Sequence, residues 1–198
     1  MDSIRIMGTV NPSPLTFIGR CAGISTERMD RGDPVKRAMK CLSDGHLSVF
    51  EHLSVTWEVR GVSRALTHQL VRHRHCSFTQ ESQRYTKVDV LSDDWYVMPE
   101  NLEPDQQEWF RRAMTTAAQT YQGLIDMGVK KEDARAVLPN ATKTAIVVTM
   151  NLAEFAHFYR LRSDPAAQAE IRHLANAMWG SLRSLGGQWE ILMDSLKE

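Results

Sequence analysis

The chain has 198 residues, 42% of them hydrophobic and 24% charged, a balance that builds a packed core and argues against disorder. Lysine plus arginine number 24, as do aspartate plus glutamate, so no global field draws the protein to nucleic acid or an anionic membrane. No basic segment followed by an apolar run opens the sequence, no window approaches the ~18 apolar residues of a membrane span, and Cys21, Cys41 and Cys76 form neither a CxxC pair nor a closed disulfide set. These features predict a reduced, cytoplasmic protein folded as a single domain over residues 1–198.

Ile4 to Val10 reads as a short strand, broken by Asn11-Pro12-Ser13-Pro14, and Leu15 to Ile24 as a short helix. Asp33-Pro34 is a helix start, with Asp33 as N-cap and Pro34 at the first helical position; that helix runs to about Ser43 and stops at Gly45. His46 to Glu51 is expected to be a connecting loop. Leu53, Val55, Trp57 and Val59 alternate with Ser54, Thr56 and Glu58, the pattern of a half-buried strand that Gly61 ends. Val62 to about Arg72 reads as a helix with Arg64, His68 and Arg72 on one face, delivering Gln69 and Arg72 together at its C-terminal end.

Asp89 to Asp94 reads as loop and Trp95 to Met98 as a brief extended segment. Pro104 opens a long helix to about Met127, closed by Gly128. Lys131 to Val137 is a short helix carrying Arg135 and stopped by Pro139. Thr144 to Thr149 is β-branched and reads as a buried strand. Asn151 to Tyr159 is a helix, and Ser163-Asp164-Pro165 restarts another to about Leu185, with Asp164 as N-cap. Gly186-Gly187 precedes a last helix to Leu196. Helices with a few scattered strands predict an α+β fold, a small sheet packed by several helices.

The chemistry concentrates in Val71–Tyr85. Arg72, His73, Arg74, His75 and Arg84 are cationic or switchable donors, Ser77, Thr79, Gln80, Ser82 and Gln83 are neutral partners, and Glu81 is the one carboxylate. So dense a set is not an ordinary core element. A metal site is disfavoured, because His73 and His75 would face opposite sides of an extended chain and Arg72 and Arg74 would repel a cation at short range. No GxSxG, GxGxxG or Walker pattern is present, so any nucleotide must be held by side chains. Arg72 and Arg74 could lower the pKa of Cys76 toward a nucleophile, although a filler cysteine is the plainer reading. Phosphate-bearing small molecules fit best, since arginine forks bind phosphate bidentately and Gln69, Arg135 and Arg162 supply similar groups elsewhere. A nucleic-acid-binding module built on residues 72–75 is the reading from a different class.

Arg72-His73-Arg74, seven residues, then Ser82-Gln83-Arg84 resembles the signature of the flavin-dependent thymidylate synthases. Gly45-His46 with Phe50-Glu51-His52, Gln69, the segment Ala134-Arg135 to Pro139, and Asn151, Leu161-Arg162 and Gln168 resemble further segments of that family in order along the chain. The resemblance implies reductive methylation of deoxyuridine monophosphate (dUMP) to thymidylate (dTMP). FAD would carry hydride, 5,10-methylenetetrahydrofolate would donate carbon and NADPH would be the reductant. It implies a homotetramer with sites shared between subunits, and no nucleic-acid or membrane partner.

Residue by residue, the resemblance implies that Arg72, His73, Arg74 and Ser77 hold the flavin, chiefly its phosphates and ring. His46, Ser48 and Glu51 would line it from another subunit or loop, with Asn151 and His157 at its ring. Gln69, Arg72, Ser82, Gln83, Arg84 and Arg135 would bind dUMP, and Arg162 would sit at the uracil as the catalytic cation. On this reading residues 72–77 serve the flavin and 82–84 the nucleotide, and their short separation sets flavin against uracil. The chain departs from the commoner family pattern at Thr79-Gln80, where many members have Asn-Glu, so Gln80 would contact both ligands as an amide. Ala153 stands where many have Arg, and His157 where some have Asn. A UMP/dUMP C5-methylase of a nucleoside pathway is the enzyme alternative.

Overall fold

The computed structural model describes residues 1–196. The strands β1 (Ser3–Met7), β2 (Ser54–Ser63), β3 (Cys76–Gln80) and β4 (Lys143–Asn151) form one antiparallel sheet in the order β1-β2-β4-β3. Alternation does the work. Val55, Trp57 and Val59 of β2 register opposite Met150, Val148 and Ile146 of β4, and all six are buried on one face. The other face is polar, with Thr56 hydrogen-bonded to Thr149 at 2.9 Å and Glu58 paired with Arg5 and Arg60.

Among the described residues eight α-helices surround the sheet, most of them packed on its apolar face. They are α1 (Pro14–Gly23), α2 (Pro34–Ser43), α3 (Arg64–Leu70), α4 (Pro104–Asp126), α5 (Lys131–Ala134), α6 (Leu152–Arg162), α7 (Ala169–Arg183) and α8 (Gln188–Ser195). Leu15 and Ile18 of α1, Phe155 and Phe158 of α6, Leu174 and Met178 of α7 and Leu192 of α8 join the sheet residues in one core. A smaller core under α4 gathers Val90, Trp95, Met114, Tyr121 and Ala134.

Locally encoded ends fall where expected. Asp33 accepts from Val35 N at 2.9 Å and Lys36 N at 3.2 Å with Pro34 in the first turn, and α4 begins at Pro104 behind a reciprocal Glu103/Gln106 capping box.

Other boundaries differ. The first strand stops at Met7 instead of Val10. Leu47–His52 is a 3-10 helix instead of a loop, and α6 reaches Arg162. Gly61 does not end β2. It sits at a bulge with φ +69°, a conformation natural to glycine, and Asp2 carboxylate atoms lie 2.1 Å from where its Cβ would stand. Val62 therefore belongs to the strand, and α3 starts at Arg64, capped by Ser63, whose Oγ accepts from Leu66 N at 3.0 Å. Asp164 does not cap α7. Its carboxylate accepts from Ala166 N in a local turn, and the helix begins at Ala169. Among the described residues no helix is long and apolar enough to cross a membrane.

Candidate active site

Placement begins with Ser63. Glu170 of α7 accepts from Ser63 N at 2.7 Å and Oγ at 2.6 Å, so the cap of α3 is tied to the helical layer. From there α3 runs back along the sheet and delivers Gln69 and the turn Val71–His75. Beyond this turn β3 pairs with β4, Cys76 opposite Met150 and Gln80 opposite Ile146.

At the first end of β3, Arg72, His73, Arg74, His75, Glu154, His157, Leu161 and Arg162 line a cavity of about 500 Å³. Arg72, Arg74 and His75 are exposed, whereas His73 is 4% exposed. The His73 ring stands edge-on to Phe158 at 5.1 Å and to His157 at 5.9 Å. Its Nδ1 faces Glu154 Oε1 at 3.1 Å, and its Nε2 accepts from Arg162 Nε, also at 3.1 Å. Arg162 Nη2 donates to the Gln69 carbonyl at 3.4 Å, and the Gln69 amide contacts Gln168. Burial holds His73 below the ordinary imidazole value, with Arg162 acting the same way against the opposing pull of Glu154; it is neutral at pH 7. Burial, then the charge of Arg72, lowers Arg162, which still remains a cation.

Burial and the Glu154 charge push the Cys76 thiol up to about 12, so it stays protonated. Loss of solvent and the nearby Glu154 carboxylate act against a thiolate at this position, in keeping with the plainer filler reading.

A second cavity, about 960 Å³, is lined by Gly45, Leu47, Ala153, Ala156, His157 and Arg160 among others. His157 lines both cavities, so they adjoin. His46, Ser48 and Glu51 are all exposed, in or beside the 3-10 segment that packs on α6. Asn151 spends Oδ1 on the α6 cap, accepting from Glu154 N at 2.8 Å. Ser77 is exposed on β3.

At the far end of β3 lies a second cationic group. Arg84 Nε meets Glu132 at 2.5 Å, Arg135 Nε donates to the Glu132 carbonyl at 3.2 Å, and Arg64 Nη2 donates to the Glu81 carbonyl at 3.1 Å. Burial, then the charge of Arg135, lowers Arg64. Arg64 Nε and Gln83 Nε2 are buried with no hydrogen-bond partner among the described residues, donors that an anionic ligand would satisfy. A cavity of about 300 Å³ opens beside Ser82 and Gln83. Gln80 commits Nε2 to the hydroxyls of Thr67 at 3.1 Å and Thr144 at 3.4 Å, leaving Oε1 for a ligand.

Two expectations change in form. The halves of the motif do not stand side by side; they sit at opposite ends of β3, whose four steps of ~3.4 Å span about 14 Å. His73 has both ring nitrogens engaged within the chain, so it offers none to a phosphate. Sequence reading also passed over Glu154 and left Arg64 outside the ligand set. Arg64 carried a signal, the helical face shared with His68 and Arg72; Glu154 carried none, because its partner lies 81 positions away.

Comparison with known proteins places the chain among relatives of one family and fold. The profile described as thymidylate synthase complementing protein matches residues 10–185. A flavin-dependent thymidylate synthase from Pyrococcus furiosus is 39% identical over 180 residues, covering 89% of this chain and 72% of its own length. One from Geobacter sulfurreducens is 45% identical over 155 residues, covering 77% and 66%. A Helicobacter pylori thymidylate synthase solved with FAD and dUMP shares the fold at TM-score 0.80 and 21% identity over 99% of each chain. A UMP/dUMP methylase from Streptomyces cacaoi, solved with 5-Br dUMP, has TM-score 0.81 and 26% identity over 98% of this chain and 94% of its own.

Proposed function

This chain belongs to the flavin-dependent thymidylate synthase family, and from that premise we propose that it methylates dUMP at C5 to give dTMP, with FAD as hydride carrier. The observation that carries the reading is the convergence of Arg72, Arg74, His75 and Arg162 on one cavity with no carboxylate but Glu154 among its lining residues. That donor set fits an anionic, phosphate-bearing cofactor and nucleotide. When bound, the flavin supplies the hydride that no side chain can.

The residues then divide the work. Arg72 and Arg74 hold the flavin phosphates, with Ser77, Asn151, His157 and, across the adjoining groove, His46, Ser48 and Glu51 lining it. Ser82, Gln83, Arg84 and Arg135 take the nucleotide, with Gln80 through Oε1 and Arg64 as an added donor. Gln69 and Arg72 contact it at the other end. Arg162 places a fixed cation where negative charge develops on the uracil. Methylenetetrahydrofolate is the carbon donor and NADPH the reductant; both rest on the family reading. Separation of the two halves along β3 supports a site closed by another copy of the chain, and we extend this to a homotetramer.

The test is direct. Purified protein should be yellow or take up FAD, and should convert dUMP to dTMP with methylenetetrahydrofolate and NADPH. A colourless protein that takes up no FAD overturns the reading. Because the Streptomyces protein is a UMP/dUMP methylase, UMP should be run beside dUMP; faster turnover of UMP would favour that second reading. Sedimentation of a flavin-saturated monomer would refute the shared site.

A further inference from the structure

Glu154, Phe158 and Arg162 fall at i, i+4 and i+8 on one face of α6, and the His73 ring lies along that face. Arg162 Nε always carries hydrogen and donates to His73 Nε2, so Nε2 holds the lone pair. The single ring proton of the neutral imidazole must then reside on Nδ1, which faces Glu154 Oε1. The opposite tautomer would set N–H against N–H at Arg162 and a lone pair against the carboxylate. Neither side can be hydrated cheaply, since His73 is 4% and Glu154 9% exposed. Glu154 is itself held by the Asn151 cap.

We propose that Glu154 is a positioning residue that aims the Arg162 guanidinium by locking His73 in its Nδ1-protonated tautomer. This rests on the reading that Arg162 serves dUMP. Although Glu154 borders the cavity, its carboxylate is turned to the His73 ring, and it acts through that ring. With Nε and Nη2 of Arg162 both fixed inside the chain, the fork has one orientation, and Nη1 is left without a protein partner among the described residues.

The experiment uses FAD-loaded protein labelled with ¹⁵N-histidine, the His73 signals assigned by comparison with His73→Gln. Wild-type His73 should be neutral with hydrogen on Nδ1. Glu154→Met, of similar length but without an acceptor, should weaken dUMP binding about tenfold, the worth of one hydrogen bond to a charged group. In the Arg162→Ala background the same substitution should cost nothing further, because the two act as one unit. Glu154→Gln, whose amide oxygen can still accept from Nδ1, should recover most of the affinity. A wild-type protein that binds no dUMP refutes the functional reading and the proposal together. Normal dUMP binding with hydrogen on Nε2 of His73, or an equal loss from Glu154→Met in both backgrounds, refutes the proposal alone.

Discussion

Replacing Arg162 with alanine has two separable consequences. Within the protein, His73 Nε2 loses its donor; it is buried, and an unsatisfied buried acceptor costs ~1–3 kcal/mol. The second bond, to the Gln69 carbonyl at 3.4 Å, is long and adds little. Toward the ligand, a charge-assisted hydrogen bond to the nucleotide is worth ~1.5–3 kcal/mol, about tenfold to about 150-fold in Kd. Titrating dUMP into FAD-loaded protein while following flavin absorbance reads the second effect, and urea unfolding reads the first. FAD uptake should survive, because Arg72 and Arg74 are untouched. Arg162→Lys should fall between wild type and alanine: a point charge cannot bond His73 and present a planar fork at once. Affinity and turnover of Arg162→Ala within about twofold of wild type would refute the assigned role.

Other predictions concern the fold and the neighbouring groups. His73 titrates below its ordinary 6.5 in the folded state, so above 6.5 both states are neutral and nothing is lost. As pH falls below 6.5 the unfolded chain binds the proton first, and stability declines until pH passes the folded value. Urea midpoints between pH 7 and 5 should therefore fall less steeply in His73→Gln than in wild type, and parallel curves would contradict the assignment. Cys76→Ala should keep dUMP turnover, and the wild-type thiol should resist iodoacetamide at pH 8, given its value of about 12; rapid alkylation at that position would contradict this. Gly61→Ala forces a side chain into positive φ against the Asp2 carboxylate and should destabilise by ~1–3 kcal/mol, read as a lowered urea midpoint at unchanged slope.

Much of the site's content was legible because its chemistry is compact in sequence. The Arg-His-Arg and Ser-x-Arg elements sit within one short stretch, and Arg135 and Arg162 follow in short segments that the same family resemblance picked out. Their grouping was not. Strand β3 consists of Cys-Ser-Phe-Thr-Gln, too polar and too short to stand out, and it becomes a strand because β4 offers it an edge to pair with. That pairing sets the two halves of the motif apart instead of together.

The sequence alone determined what local physics decides. Asp33-Pro34 and Pro104 start helices, because caps and proline geometry act within a few residues. The alternation from Leu53 to Val59 chose the buried face of β2, because side chains of a strand point to opposite sides. Tertiary structure decided everything that depends on distant partners. It carried β2 through Gly61 as a bulge against Asp2, left Arg64 and Gln83 with buried donors unpaired among the described residues, and made the switchable His73 of the motif a neutral link between Glu154 and Arg162. Burial and partnership set the protonation of such groups, and neither is written in the residues beside them.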